Sequence, residues 1–243
     1  MAKRLFWKEK YSNFLFYLLL GLAAIVGLFV FKASLKTTYY PESYLPQYYQ
    51  SAVGYYKQHL FASAFKKLRL ILKIDPDYKD AHILLGDIYY ENGLYREAIK
   101  EYQKAIEIDS MDKAAYLKLA VTYWEIEKYE LATRVFESML KKFDPNDISI
   151  INNLASCYSK IGLYSIAFRK YKEILRINPR YAKAHYNIGT IYFTYYEDYK
   201  AAIKEWIKTL RLDPSIEEAR VYIESARYKL KNKEKEHADK IGK

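Results

Sequence analysis

The sequence predicts an all-α protein in which one transmembrane helix precedes a superhelix of about five helix-turn-helix repeats and a capping helix. Three observations carry that prediction. Residues 14–31 run for eighteen positions without a charge. Beyond residue 44 the chain matches itself at a spacing of 34 to 35 residues, the mark of stacked supersecondary units. Within those units alanine, glycine and aromatic residues return at fixed places. The 243 residues are 51% apolar and 28% charged, which excludes disorder of the chain as a whole.

The N-terminus comes first. Residues 1–10 form a short tail with Lys3, Arg4, Lys8 and Lys10 against Glu9. Residues 11–31 are the transmembrane segment, and its charge-free part, FLFYLLLGLAAIVGLFVF, spans roughly 27 Å as a helix, close to the hydrocarbon thickness of a bilayer. A cleaved signal has a shorter apolar core and a small-x-small site; here Phe31 or Lys32 would stand three residues from the cut. Lipidation at this end is excluded because Cys157 is the one cysteine. Trp7, Tyr11, Tyr39 and Tyr40 flank the span as interfacial residues do. Four basic residues precede it and Lys32 and Lys36 follow, so the positive-inside rule places the tail in the cytoplasm and the repeats across the membrane. With no eukaryotic targeting feature, the expected address is a bacterial inner membrane with periplasmic repeats. The alternative address has the repeats facing the cytosol. Residues 32–44, with Pro41, read as a linker.

The repeats divide as 45–78, 79–112, 113–147, 148–181 and 182–216. The eighth place of each unit is small: Ala52, Gly86, Ala120, Ala155 and Gly189. The twentieth is always alanine: Ala64, Ala98, Ala132, Ala167 and Ala202. Such residues let two helices approach closely. Tyr55, Tyr89, Tyr123, Tyr158 and Tyr192 recur in the first helix, and Leu68, Tyr102, Phe136, Tyr171 and Trp206 in the second. Pro76, Pro145, Pro179 and Pro214 end four units, and Gly93 and Gly162 fit the turn between helices. The pattern resembles the tetratricopeptide repeat over roughly 170 residues. Ile71, Met139, Ile174 and Thr209 depart from its usual small residue, and single-residue insertions lie near Phe143 and Tyr195. A repeat array needs covered ends, and residues 217–231 read as the capping helix, with 232–243 a charged tail.

Little in the composition points to catalysis. A lone cysteine excludes an internal disulfide and a thiolate-rich zinc site. His59, His82, His185 and His237 lack metal-ligand spacing, and His82 and His185 share a packing place with Tyr116. No phosphate loop or nucleophile elbow occurs. The expectation is therefore a protein that is not an enzyme and takes no cofactor and no metal. Net charge is +11, which attracts anionic partners without choosing one. The inner surface mixes Asp87, Glu91 and Glu125 with Lys57, Lys160 and Lys183, which disfavours nucleic acid.

Resemblance to the tetratricopeptide family implies that the concave face, formed by first helices, holds a protein or peptide partner. Its twelfth-place ladder is Tyr56, Tyr90, Trp124, Ser159 and Phe193, and aromatic anchors of this kind are frequent hot spots. At the sixth place Asn153 and Asn187 can bind a peptide backbone, with Gln50 assisting, while Leu84 and Lys118 interrupt. The candidate site is thus Gln50, Tyr56, Tyr90, Trp124, Asn153, Asn187 and Phe193. The family's clamp for a chaperone C-terminus is not matched, since Tyr49, Ile83, Leu117, Asn152 and Tyr186 fill the fifth place. The expected function is a non-catalytic membrane-anchored scaffold supporting a cell-envelope complex of the secretion, pilus, cell-wall or flagellar-motor type, with lipid contact through residues 11–31. The alternative is a tethered holdase or import receptor for unfolded or targeting segments.

Overall fold

A computed structural model describes residues 42–241, with side chains through residue 235. The expected transmembrane segment, the basic tail and most of the linker lie outside the described residues. The chain divides into two units, one ending at Tyr48 and one beginning at Tyr49.

After a 3₁₀ turn at Glu42–Tyr44, the described residues form eleven α-helices: α1 Leu45–Lys57, α2 Phe61–Ile74, α3 Lys79–Glu91, α4 Tyr95–Ile108, α5 Lys113–Glu125, α6 Tyr129–Lys142, α7 Ile148–Lys160, α8 Tyr164–Ile177, α9 Ala182–Thr194, α10 Tyr199–Leu212 and α11 Glu218–Ile241. Odd helices are the first of each repeat and even helices the second. None is long and apolar enough to cross a membrane.

Two local devices repeat with the helices. Between the helices of a unit the chain turns through a left-handed residue: Gly93 (φ 72°) and Gly162 (φ 80°) at no steric cost, and His59, Glu127 and Glu197 at some cost. At Gly93 the turn is a Schellman cap, with Leu94 N–H donating to Tyr89 O and Gly93 N–H to Tyr90 O, each 2.9 Å. Between units, the side chains of Asp75, Asp109, Asp144, Asn178 and Asp213 each accept from the backbone N–H two residues on. These Asx turns follow the second helix in every unit, including the one where Ser110 stands in place of the proline.

The small eighth place has a measurable cause. A Cβ on Gly86 would lie 2.5 Å from the Tyr102 ring, and one on Gly189 would lie 2.7 Å from Nε1 of Trp206. Tyr102, Phe136, Tyr171 and Trp206 are themselves buried, as are Ala98, Ala132, Ala167 and Ala202. The recurrent places are therefore the core, extending along the whole array. Cys157 belongs to it; burial pushes its thiol up to about 11, which leaves it unreactive.

The last helix keeps the register of a first helix. Ala219, Ile223 and Ala226 are buried where Ala184, Ile188 and Ile191 are buried in α9. At the eighth place, however, stands exposed Glu224, paired with Arg227 at 2.7 Å, because no second helix follows to pack there. The helix does not stop near 231 but continues to Ile241, carrying the charged residues expected as a tail.

Candidate peptide-binding groove

Two adjoining cavities open on the first-helix surface and share Val121. The larger, about 340 Å³, is lined by Tyr56, Asp87, Tyr90, Glu91, Tyr102, Leu117, Lys118 and Val121. The smaller, about 180 Å³, is lined by Val121, Trp124, Phe136, Asn153 and Ser156. Both have mostly apolar walls with a few polar groups, the ordinary make-up of a recognition site.

The polar groups of the larger cavity form one network around Asp87. Its Oδ1 accepts from Tyr102 Oη at 2.8 Å and from Lys118 Nζ at 2.8 Å. Tyr56 donates to Glu91 beside it. Burial, then the charge of Asp87, raises the Tyr102 phenol far above its usual range, so it stays a donor. Burial and the hydrogen bond to Glu91 do the same for Tyr56. Tyr102 reaches Asp87 because Gly86 lets the ring pass under α3.

Four of the seven residues singled out from sequence line these cavities: Tyr56, Tyr90, Trp124 and Asn153. Gln50, Asn187 and Phe193 line neither. The aromatic ladder also has a packing role within each unit. Its rings meet the first aromatic residue of the following helix: Tyr56–Phe61 at 5.9 Å, Tyr90–Tyr95 at 5.4 Å, Trp124–Tyr129 at 4.9 Å and Phe193–Tyr199 at 5.5 Å. Phe193 lies further in, against Trp206 at 5.7 Å and Tyr222 of α11 at 6.4 Å, with Lys229 Nζ 4.9 Å above the ring.

Asp87, Leu117, Val121 and Ser156 were not in the sequence-derived set, and Lys118, expected to interrupt the site, joins its wall. The signal was present: fifth, ninth and twelfth places lie on one helical face. Leu117 and Val121 are exposed large apolar residues on that face. Tyr102 and Phe136 contribute from second helices, which spacing within a first helix does not reveal.

His82 and His185 hold structural ties. His82 Nδ1 lies 2.6 Å from Glu101 Oε2 and Nε2 lies 2.9 Å from Pro76 O, tying α3 to α4 and to the preceding turn. His185 repeats the arrangement with Glu205 at 2.5 Å and Pro179 O at 3.1 Å. Burial alone would lower the His82 pKa, but the Glu101 carboxylate and the Pro76 carbonyl outweigh it and raise it above the ordinary value. Among the described residues, no cluster of His, Cys, Asp and Glu suits a metal ion.

Comparison with known proteins agrees with this architecture. Residues 86–126 match the family model described as TPR repeat. The array is a tetratricopeptide-repeat fold. The solved structure of YrrB, described as a TPR protein with an unusual peptide-binding site, superposes with a TM-score of 0.60 at 20% identity, covering 71% of this chain and 88% of that one. MamA from Desulfovibrio magneticus RS-1 gives a TM-score of 0.63 at 17% identity, over 71% of this chain and 96% of that one. Hsp70-Hsp90 organizing protein 3 of Arabidopsis thaliana is 25% identical over 87 residues, which is 36% of this chain and 15% of that relative. The groove therefore lies on a tetratricopeptide-repeat fold and takes its walls from repeats one to four.

Proposed function

We propose that the protein is a membrane-anchored scaffold that holds a protein or peptide segment in the groove running from Tyr56 to Asn153. The observation that carries this reading is the pair of adjoining cavities that share Val121, with mostly apolar walls and the Asp87–Lys118–Tyr102 network in the wall of the larger. The charge-free segment 14–31 supports anchoring, and the basic tail before it supports periplasmic repeats on a bacterial inner membrane. A short linker would then hold the array close to the bilayer, where a scaffold supports assembly of an envelope complex.

Placing a photocrosslinking amino acid at Val121 of the full chain in cells tests this. A scaffold gives one or two discrete adducts that disappear in Trp124→Ala. A ladder of unrelated adducts would point to a holdase instead, and no adduct at Val121 with adducts elsewhere would refute the groove. A C-terminal tag digested only after the outer membrane is permeabilised is the expected topology; protection that persists would put the repeats in the cytoplasm.

A further inference from the structure

The charge excess is segregated by helix type. The five first helices α1, α3, α5, α7 and α9 hold 6 basic and 4 acidic residues. The five second helices α2, α4, α6, α8 and α10 hold 18 basic and 7 acidic.

Within the second helices the basic residues keep the repeat register. The twenty-second place is Lys66, Lys100, Arg134, Arg169 and Lys204, basic in every unit. Seven residues on, the corresponding place is Lys73, Glu107, Lys141, Arg176 and Arg211, basic in all but one. All ten side chains are exposed, and residues seven apart lie on one face of a helix, roughly 10 Å from each other. None of the nine basic residues makes an ion pair with another described residue, whereas Lys79, Lys104, Lys113, Lys118, Lys170 and Lys208 elsewhere do.

We propose that this two-column stripe on the second-helix face is a docking surface for the anionic headgroups of a lipid bilayer. An extended polyanionic surface answers a periodic set of exposed point charges. Lysine and arginine near such a surface contribute about 1 kcal/mol each and act within a Debye length. Between the two columns no aromatic residue is exposed, so the stripe offers no stacking platform for single-stranded nucleic acid. The choice of lipid over other polyanions rests on the anchor reading: the uncharged segment ends at residue 31, only 13 residues before the linker ends at residue 44. With the second-helix face on the bilayer, the groove on the first helices faces away from it, open to a partner.

The test uses the full chain in nanodiscs of phosphatidylcholine alone or mixed with phosphatidylglycerol. A fluorophore at Ser138→Cys, exposed between Arg134 and Lys141, reports its distance from headgroup nitroxides; Leu117→Cys on the groove is the control. The expected result is stronger quenching at Ser138→Cys with anionic lipid, reversed by raised salt, and no change at Leu117→Cys. Neutralising one stripe residue should reduce the docked population about fivefold. Replacing Lys66, Lys100, Arg134, Arg169 and Lys204 by Gln should abolish docking; if that chain fails to fold, the single Arg169→Gln and Lys204→Gln chains serve. Quenching that is equal in both lipids, or indifferent to these substitutions, would overturn the proposal. So would a salt-sensitive mobility shift of duplex DNA that the same substitutions abolish without any lipid effect. A chain that never co-elutes with phosphatidylcholine discs would sink the anchor reading instead, a separate failure read before any quenching.

Discussion

Trp124 and Phe193 occupy the same place in their repeats and share the same intra-unit aromatic partner, yet their surroundings differ. Trp124 opens on a cavity with Val121, Phe136, Asn153 and Ser156. Phe193 is closed in by Trp206, Tyr222 and Lys229. Position in a repeat fixes which way a side chain points; the neighbour beyond decides whether it meets a ligand or the end of the protein. In the middle of the array that neighbour is another first helix, which leaves a groove. At the C-terminal end it is α11, where Tyr222 stacks on Trp206 at 5.3 Å and fills the equivalent space.

The comparison breaks most visibly in the C-terminal core. Trp206→Ala should cost about 3–5 kcal/mol, since the ring is fully buried and its Nε1 donates to Tyr186 O at 3.1 Å. Thermal unfolding of the full chain checks it, and a loss below about 1 kcal/mol would mean that α11 does not depend on that ring. Next come the two ladder residues themselves. Trp124→Ala should weaken partner binding about thirtyfold, a hot-spot effect of about 2 kcal/mol, with a modest change in melting temperature. Phe193→Ala should do the reverse, and equal binding losses from both would erase the distinction between groove and cap.

A smaller effect makes the His82 tie depend on pH. Because the folded pKa of His82 is raised, its contribution to stability is complete below the unfolded value of about 6.5 and is lost as pH rises through the folded value. The stability gap between the native chain and His82→Gln should therefore be widest in mild acid, at about 1–3 kcal/mol, and shrink toward alkaline pH; a gap independent of pH would refute the tie to Glu101. Smallest is Lys118→Ala. Its pair with Asp87 leaves the lysine side chain 37% exposed, so stability should change by about 0.2–1 kcal/mol, while a partner that reads the Asp87 carboxylate would show a larger change in affinity.

The fold was legible because its signals are local and repeated. Ala98, Ala132, Ala167 and Ala202 at one spacing, with Tyr102, Phe136, Tyr171 and Trp206 at another, specify paired helices without any long-range information. The groove was only half legible. Tyr56, Tyr90, Trp124 and Asn153 follow from the first-helix register. Asp87 and Lys118 looked like scattered charges, because the contact that joins them crosses from one repeat to the next over 31 residues. Asn187 and Phe193 satisfy the same register, but the helix that crowds Phe193 belongs to no complete repeat.

What the sequence determined by itself is the number of units, the identity of their core places, the turns at Gly93 and Gly162, and the basic register at the twenty-second place. Each depends on a residue and its neighbours within one 34-residue period, where helical geometry fixes direction. Only the tertiary structure decided which equivalent residues stay open. It joined Asp87 to Lys118, passed Tyr102 beneath Gly86 and laid Tyr222 over Trp206. Those contacts depend on the stacking of one unit on the next, and that packing is set by several side chains acting together rather than by any one position.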